Sequence, residues 1–148
     1  MNAATVPALR QLVFTAKDVR TAFEATLERA GGSLGVWIVL NAVSDEGFIS
    51  HRILATRAHV DGATITHHVD RAEALGLVRR QVDPDDRRVR RLELTPAGTK
   101  LHRGLLAIAL DFERAVFSGI PEDAQRQLRE TLASIKANIE ARTAAVVP

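Results

Sequence analysis

Six arginines, Arg79, Arg80, Arg87, Arg88, Arg90 and Arg91, surround the segment Asp83-Pro84-Asp85-Asp86. A guanidinium is planar, permanently charged and able to donate two parallel hydrogen bonds, which suits phosphates and the edges of bases. The apolar residues on either side, Val78 and Val82 before the turn and Val89, Leu92 and Leu94 after it, predict a β-hairpin. Arg87 and Arg88 then stand at or beside the tip. There an arginine can enter a narrow minor groove and gain from its negative potential. Asp86 is close enough in sequence to hold such an arginine extended. A charged hairpin of this kind equally serves to guard a sheet edge against aggregation, and the hairpin alone does not separate the two readings.

A second set of residues lies just upstream. Between Asp61 and Gly76, Ile65, Val69 and Ala72 recur at helical spacing, and the opposite side carries Ala63, Thr64, Thr66, His67, Asp70 and Arg71. Small and hydroxyl residues near a helix start allow entry into a major groove. Threonine can meet a phosphate or a thymine methyl there, and His67 can donate to a base edge or a phosphate. The same pattern describes an ordinary solvated face.

Other chemistries find less support. His51, His59, His67 and His68 lack the thiolates, or the tight pair of histidines with acids on one face, that a metal needs, so no metal or cofactor is expected. His68 falls on the inward side of its helix and reads as a partly buried, satisfied histidine. No phosphate loop, nucleophile elbow or zinc-protease signature is present, which argues against an enzyme. The chain has no cysteine, excluding disulfides and thiol redox chemistry and fitting a reducing cytoplasm. The N-terminus has no long apolar core, since Arg10 and Lys17 interrupt it, and no signal peptide or membrane span is expected.

Composition supports a folded chain with a real core: 148 residues, 46% hydrophobic and 26% charged, net charge +2. Positive charge is local, since nine of the twenty Lys and Arg residues fall between Ser50 and Thr95. The excess of arginine over lysine, seventeen to three, follows equally from genomic base composition.

The elements that must hold these side chains are legible from periodicity and caps. Leu9, Leu12, Val13, Ala16, Val19, Phe23 and Leu27 predict an amphipathic helix near 8–30, stopped by Gly31-Gly32. Ser33 caps a second helix near 34–44 that is apolar nearly all round and therefore central. Ser50 is read as the cap of a short third helix, and Asp61 as the cap of a fourth that ends at Gly76. Leu54, Ala55, Ala58, Val60 and Ile65 make the third and fourth a helix-turn-helix, with His59 at a turn position often held by glycine. That arrangement tips the hairpin and the polar helix face toward DNA. Thr95-Pro96 starts a long fifth helix and Pro121 a sixth. Their apolar stripes, with that of the first helix, exceed what a small winged helix-turn-helix can cover, and so predict a homodimer.

The segments Asp61 to Arg71, Glu73 to Arg80, Asp83 to Arg88 and Leu94 to Gly98 resemble the MarR family of winged helix-turn-helix transcriptional regulators. The resemblance is densest over 50–98. It implies a mainly α (α+β) fold: one domain over 1–148, with a winged helix-turn-helix at 33–98, a two-stranded wing, and dimerisation helices at 1–32 and 99–148. It implies DNA contacts from Ala63, Thr64, Thr66, His67, Arg71, Asp86, Arg87 and Arg88, with Arg88 at the wing tip and Asp86 orienting it. The implied function is a cytoplasmic, dimeric repressor on a palindromic operator. Many relatives are released from DNA by small aromatic or phenolic ligands, and the corresponding pocket would lie near Trp37 and His51. Ala72 departs from the leucine usual at its position. The rival reading is a winged-helix protein-interaction module that does not bind DNA.

Overall fold

The computed structural model describes residues 7–46, 49–58, 60–88 and 90–146. The elements, in chain order, are α1 (Ala8–Arg29), α2 (Leu34–Glu46), β1 (Ile49–Ser50), α3 (His51–Ala58), α4 (Gly62–Ala74), β2 (Val78–Val82), β3 (Arg90–Leu94), α5 (Pro96–Val116) and α6 (Glu122–Val146). The chain divides into two compact units, one ending at Phe112 and the other beginning at Glu113. The mainly helical winged helix-turn-helix expected from the sequence is present in the first unit. The turn at His59 lies outside the described residues.

Local chemistry explains each boundary near the reading head. At the end of α1 the chain turns left-handed at Gly31 (φ 81°), and Gly32 N donates back to the Leu27 carbonyl at 3.0 Å. Ser33 Oγ accepts the Val36 N–H at 3.2 Å and so starts α2. Helix α4 closes in the same way as α1. Gly76 (φ 69°) donates to Glu73 O at 2.8 Å and Leu77 N donates to Ala72 O at 2.9 Å, satisfying two carbonyls that the helix would leave open.

Among the described side chains, the core draws on α1 to α5, β2 and β3. Leu27, Val39, Leu40, Val43, Leu54, Ile65, Val69 and Ala72 are fully buried, with Val36, Leu77, Val78, Leu92 and Leu105 nearly so. Burying one Leu, Ile or Val side chain contributes about 1.5–3 kcal/mol, so this cluster holds α4 to α2 firmly. His68 joins that seam as expected. Its ring lies flat against Gly35 of α2, where an added Cβ would sit 2.3 Å from Nδ1.

The expected two-stranded wing is present as the β2–β3 hairpin, and a short third strand, β1, joins its edge. Its order is β1-β3-β2, all antiparallel, with Val78 opposite Leu94 and Val82 opposite Arg90 in the hairpin and Ile49 opposite Leu92 at the added edge. A two-residue strand is too short to show an alternation of side chains. The region of Ser50 consequently read only as a helix cap.

One close approach locks the wing to α5. The Leu77 carbonyl accepts from Thr95 N at 3.0 Å, and a Cβ on Gly98 would lie 1.9 Å from that same oxygen. Thr95 Oγ1 donates to Gly76 O at 2.6 Å while accepting from Gly98 N at 3.0 Å. The predicted Thr-Pro cap therefore also ties the start of α5 to the end of α4.

Candidate nucleic-acid interface

The polar face of α4 starts from its cap. Asp61 Oδ1 accepts Thr64 N at 2.8 Å and Oδ2 accepts the Thr64 hydroxyl at 2.7 Å. These bonds, the main-chain one foremost, hold the Asp61 carboxyl below the usual carboxylate range. Thr64 is thus half-buried and spends its hydroxyl proton on the cap. Thr66 Oγ1 donates to the Gly62 carbonyl at 2.7 Å. Both threonines thus donate their hydroxyl protons within the helix and its cap. Ala63, His67 and Arg71 are exposed on the same side of the helix.

The hairpin sorts its arginines by partner. Arg79 bonds Glu93, its direct neighbour across the strands. Arg80 bonds Asp70 and, at 2.5 Å, Glu73, both on α4. Arg91 bonds Asp83. Among the described residues no carboxylate pairs with Arg87 or Arg88, which are both exposed at the turn. The side chain of Arg90 lies outside the described ones.

Asp83 organises the tip. It is only 4% exposed, and its Oδ1 accepts the main-chain N–H groups of Asp85 at 2.7 Å and Asp86 at 3.2 Å. Burial pushes its carboxyl up, but the two N–H donors and the Arg91 guanidinium outweigh that and leave it below the usual range. Asp86 in turn accepts the Arg88 main-chain N–H at 2.9 Å. Asp86 therefore bonds Arg88 at its backbone, and not at its guanidinium.

Sequence reasoning located the turn but missed Asp83 as its anchor and the Arg80 bridge to α4. Asp followed by Pro was the available signal for the first, since an Asx side chain readily caps the turn it begins. The second needed tertiary contact.

A further recess, of about 270 Å³, is lined by Trp37, Ile38, Asn41, Ala42, Asp45 and Arg57. Trp37 stacks on His102 at 5.8 Å and 15° and meets Phe23 edge-on at 6.1 Å. His102 Nε2 lies 3.3 Å from Asn41 Oδ1, and burial pushes its imidazole down while Asp45 pulls the other way. Trp37 and the other lining residues of α2 face Arg57 of α3 across this recess, so it is not bordered by α1 or α5. The His51 side chain lies outside the described residues. Among the described residues no cluster of His, Asp or Glu is arranged to hold a metal ion, and no helix is long and apolar enough to cross a membrane.

Comparison with known proteins agrees with this geometry. Residues 31–89 match the model of the MarR family. The uncharacterized HTH-type transcriptional regulator YdgJ of Bacillus subtilis (strain 168) is 26% identical over 91 residues, covering 62% of this chain. That alignment spans 56% of the relative's own length. CouR from Rhodococcus jostii RHA1, solved bound to p-coumaroyl-CoA, superposes with a TM-score of 0.81 at 28% identity, over 91% of this chain and 95% of CouR. A mutant MarR from E. coli complexed with operator DNA shares the fold, with a TM-score of 0.80 at 19% identity over 88% of this chain and 94% of that one.

Proposed function

Since the chain belongs to the MarR family of transcriptional regulators, we propose that it is a dimeric repressor that binds a palindromic operator in the cytoplasm. Helix α4 reads the major groove through Ala63, Thr64, Thr66, His67 and Arg71, and the wing places Arg88 in the flanking minor groove. Asp86 and Arg87 support that tip.

One observation carries this reading. Three hairpin arginines are engaged by carboxylates, whereas Arg87 and Arg88 have none among the described residues. Unneutralised cations are thus concentrated at the tip, where a wing meets DNA.

Residues 33–98 form the reading head, and 1–32 and 99–148 carry the dimer contacts. Leu9 and Val13 of α1 are 71% and 56% exposed, and Leu110 of α5 and Leu132 of α6 are exposed as well. Apolar surface on this scale needs a partner, and two-fold symmetry would match a palindrome.

An aromatic or phenolic ligand bound near Trp37 and His51 would relieve repression. The complex of CouR with p-coumaroyl-CoA supports that choice of chemistry. Trp37 lines the recess, and Asn41, Asp45 and Arg57 add polar groups to it.

The test is selection of bound duplexes from a random pool, followed by a footprint on the enriched sequence. An enriched palindrome with a protected duplex is expected. A pool without enrichment, or a protein that protects no duplex, would instead favour a protein-interaction module.

A further inference from the structure

Arg80 is tied across elements, because both of its carboxylate partners belong to α4. From β2 its Nη2 reaches Asp70 Oδ1 and its Nη1 reaches Glu73 Oε2 at 2.5 Å, both on α4. Asp70 and Glu73 are three residues apart, so they project from neighbouring turns of one helix face. One planar guanidinium spans them. A lysine, a single point charge, would not make the same fork. The bond to Asp70 is also the main reason that the Arg80 guanidinium holds its proton more tightly than usual.

The position of Asp70 makes this arrangement matter. It is adjacent to Arg71 and lies three and four residues from His67 and Thr66 on the exposed side of α4. A bare carboxylate there would repel a phosphate backbone. Two carboxylates on one guanidinium leave the cluster with no surplus positive charge, so Arg80 has little to offer a phosphate. The same fork adds a side-chain link between the base of the wing and α4, beside the Leu75-Gly76-Leu77 connection and the burial of Val78 in one core with Val69 and Ala72.

We infer that Arg80 is a positioning residue: it fastens the wing to the reading helix, screens Asp70 from DNA, and contacts no phosphate itself. This rests on the proposal that α4 and the wing bind DNA.

The test exploits opposite signs. The full-length wild type and three variants, Arg80→Ala, Asp70→Ala with Glu73→Ala, and Arg88→Ala, are titrated with the selected operator at several salt concentrations. Charge alone predicts that removing two carboxylates beside DNA tightens binding. A clamp predicts weaker binding, by about fivefold, the factor that corresponds to roughly 1 kcal/mol. Arg80→Ala should weaken binding by a similar factor with the log–log salt slope unchanged, whereas Arg88→Ala should lower that slope by about one.

Unaltered or tighter binding by the double variant, or a slope lowered by about one in Arg80→Ala, overturns the clamp. Alanine is a strong helix former, so the double variant retains α4 and decides the question should Arg80→Ala unfold. Failure of the wild type to bind any selected duplex overturns the DNA reading itself. Normal behaviour of wild type and Arg88→Ala beside an unaffected double variant overturns only the clamp.

Discussion

Asp86 Oδ1 accepts the main-chain N–H of Arg88 at 2.9 Å, so the wing tip is held by its backbone and the Arg88 side chain remains available. This relationship is fed by a second one, because the buried carboxylate of Asp83 holds the N–H groups of Asp85 and Asp86. The tip is therefore ordered from inside the hairpin before any ligand arrives. Preorganisation of this kind lowers the cost of ordering on binding.

Arg88→Ala should weaken operator binding by about 1–3 kcal/mol, roughly ten- to a hundredfold. Arg142→Ala, an exposed change near the end of α6, should have little effect. A mobility-shift titration of the two variants checks this. Equal losses would refute the role given to the wing tip.

Gly98→Ala places a methyl 1.9 Å from the Leu77 carbonyl oxygen, a main-chain atom that already accepts from Thr95. The backbone must move, at a cost of about 1–3 kcal/mol or more. At roughly 2–4 °C per kcal/mol for a chain of this size, the thermal midpoint should fall clearly. Gly62→Ala, where a Cβ meets nothing within 4 Å, is the matched control, and equal midpoints would contradict the packing described.

The stability of the first unit should decline in mild acid. Burial against α2, then the positive fields of His67 and Arg20, push the His68 imidazole below its ordinary value of 6.5. The unfolded chain consequently binds more protons than the folded one as pH falls through 6.5. Stability is lost from there downward, until the folded imidazole is itself protonated. His102 shifts in the same direction through burial, with Asp45 opposing. His68→Leu should reduce the difference between denaturant midpoints at pH 7.5 and 5.5 without abolishing it. An unchanged difference would show that His68 does not contribute.

Leu110→Asp should disrupt self-association while leaving the fold intact, since this side chain is 49% exposed in the single chain. Sedimentation velocity should show a dimer for wild type and a monomer for the variant. Operator affinity should drop with it, because one half-site then binds alone. A wild-type chain that sediments as a monomer would refute the dimer.

Much of the fold was legible because short-range chemistry wrote it. The Gly31-Gly32 stop, the Ser33, Asp61 and Thr95 caps and the Gly76 terminus each act within five residues along the chain, and periodicity assigned the buried faces of α2 and α4. The third strand was not legible, because Ile49 and Ser50 have meaning only beside Leu92 and Arg91.

The site divides along the same line. The amino-acid sequence by itself determined that a capped polar helix precedes an arginine-rich hairpin, and that Asp83-Pro84 begins the turn. Only the tertiary structure decided which arginines are neutralised, since Arg80 meets Asp70 and Glu73 across ten and seven residues of chain. Charge is a property of composition, but whether a charge remains available depends on what the folded backbone brings within hydrogen-bonding distance.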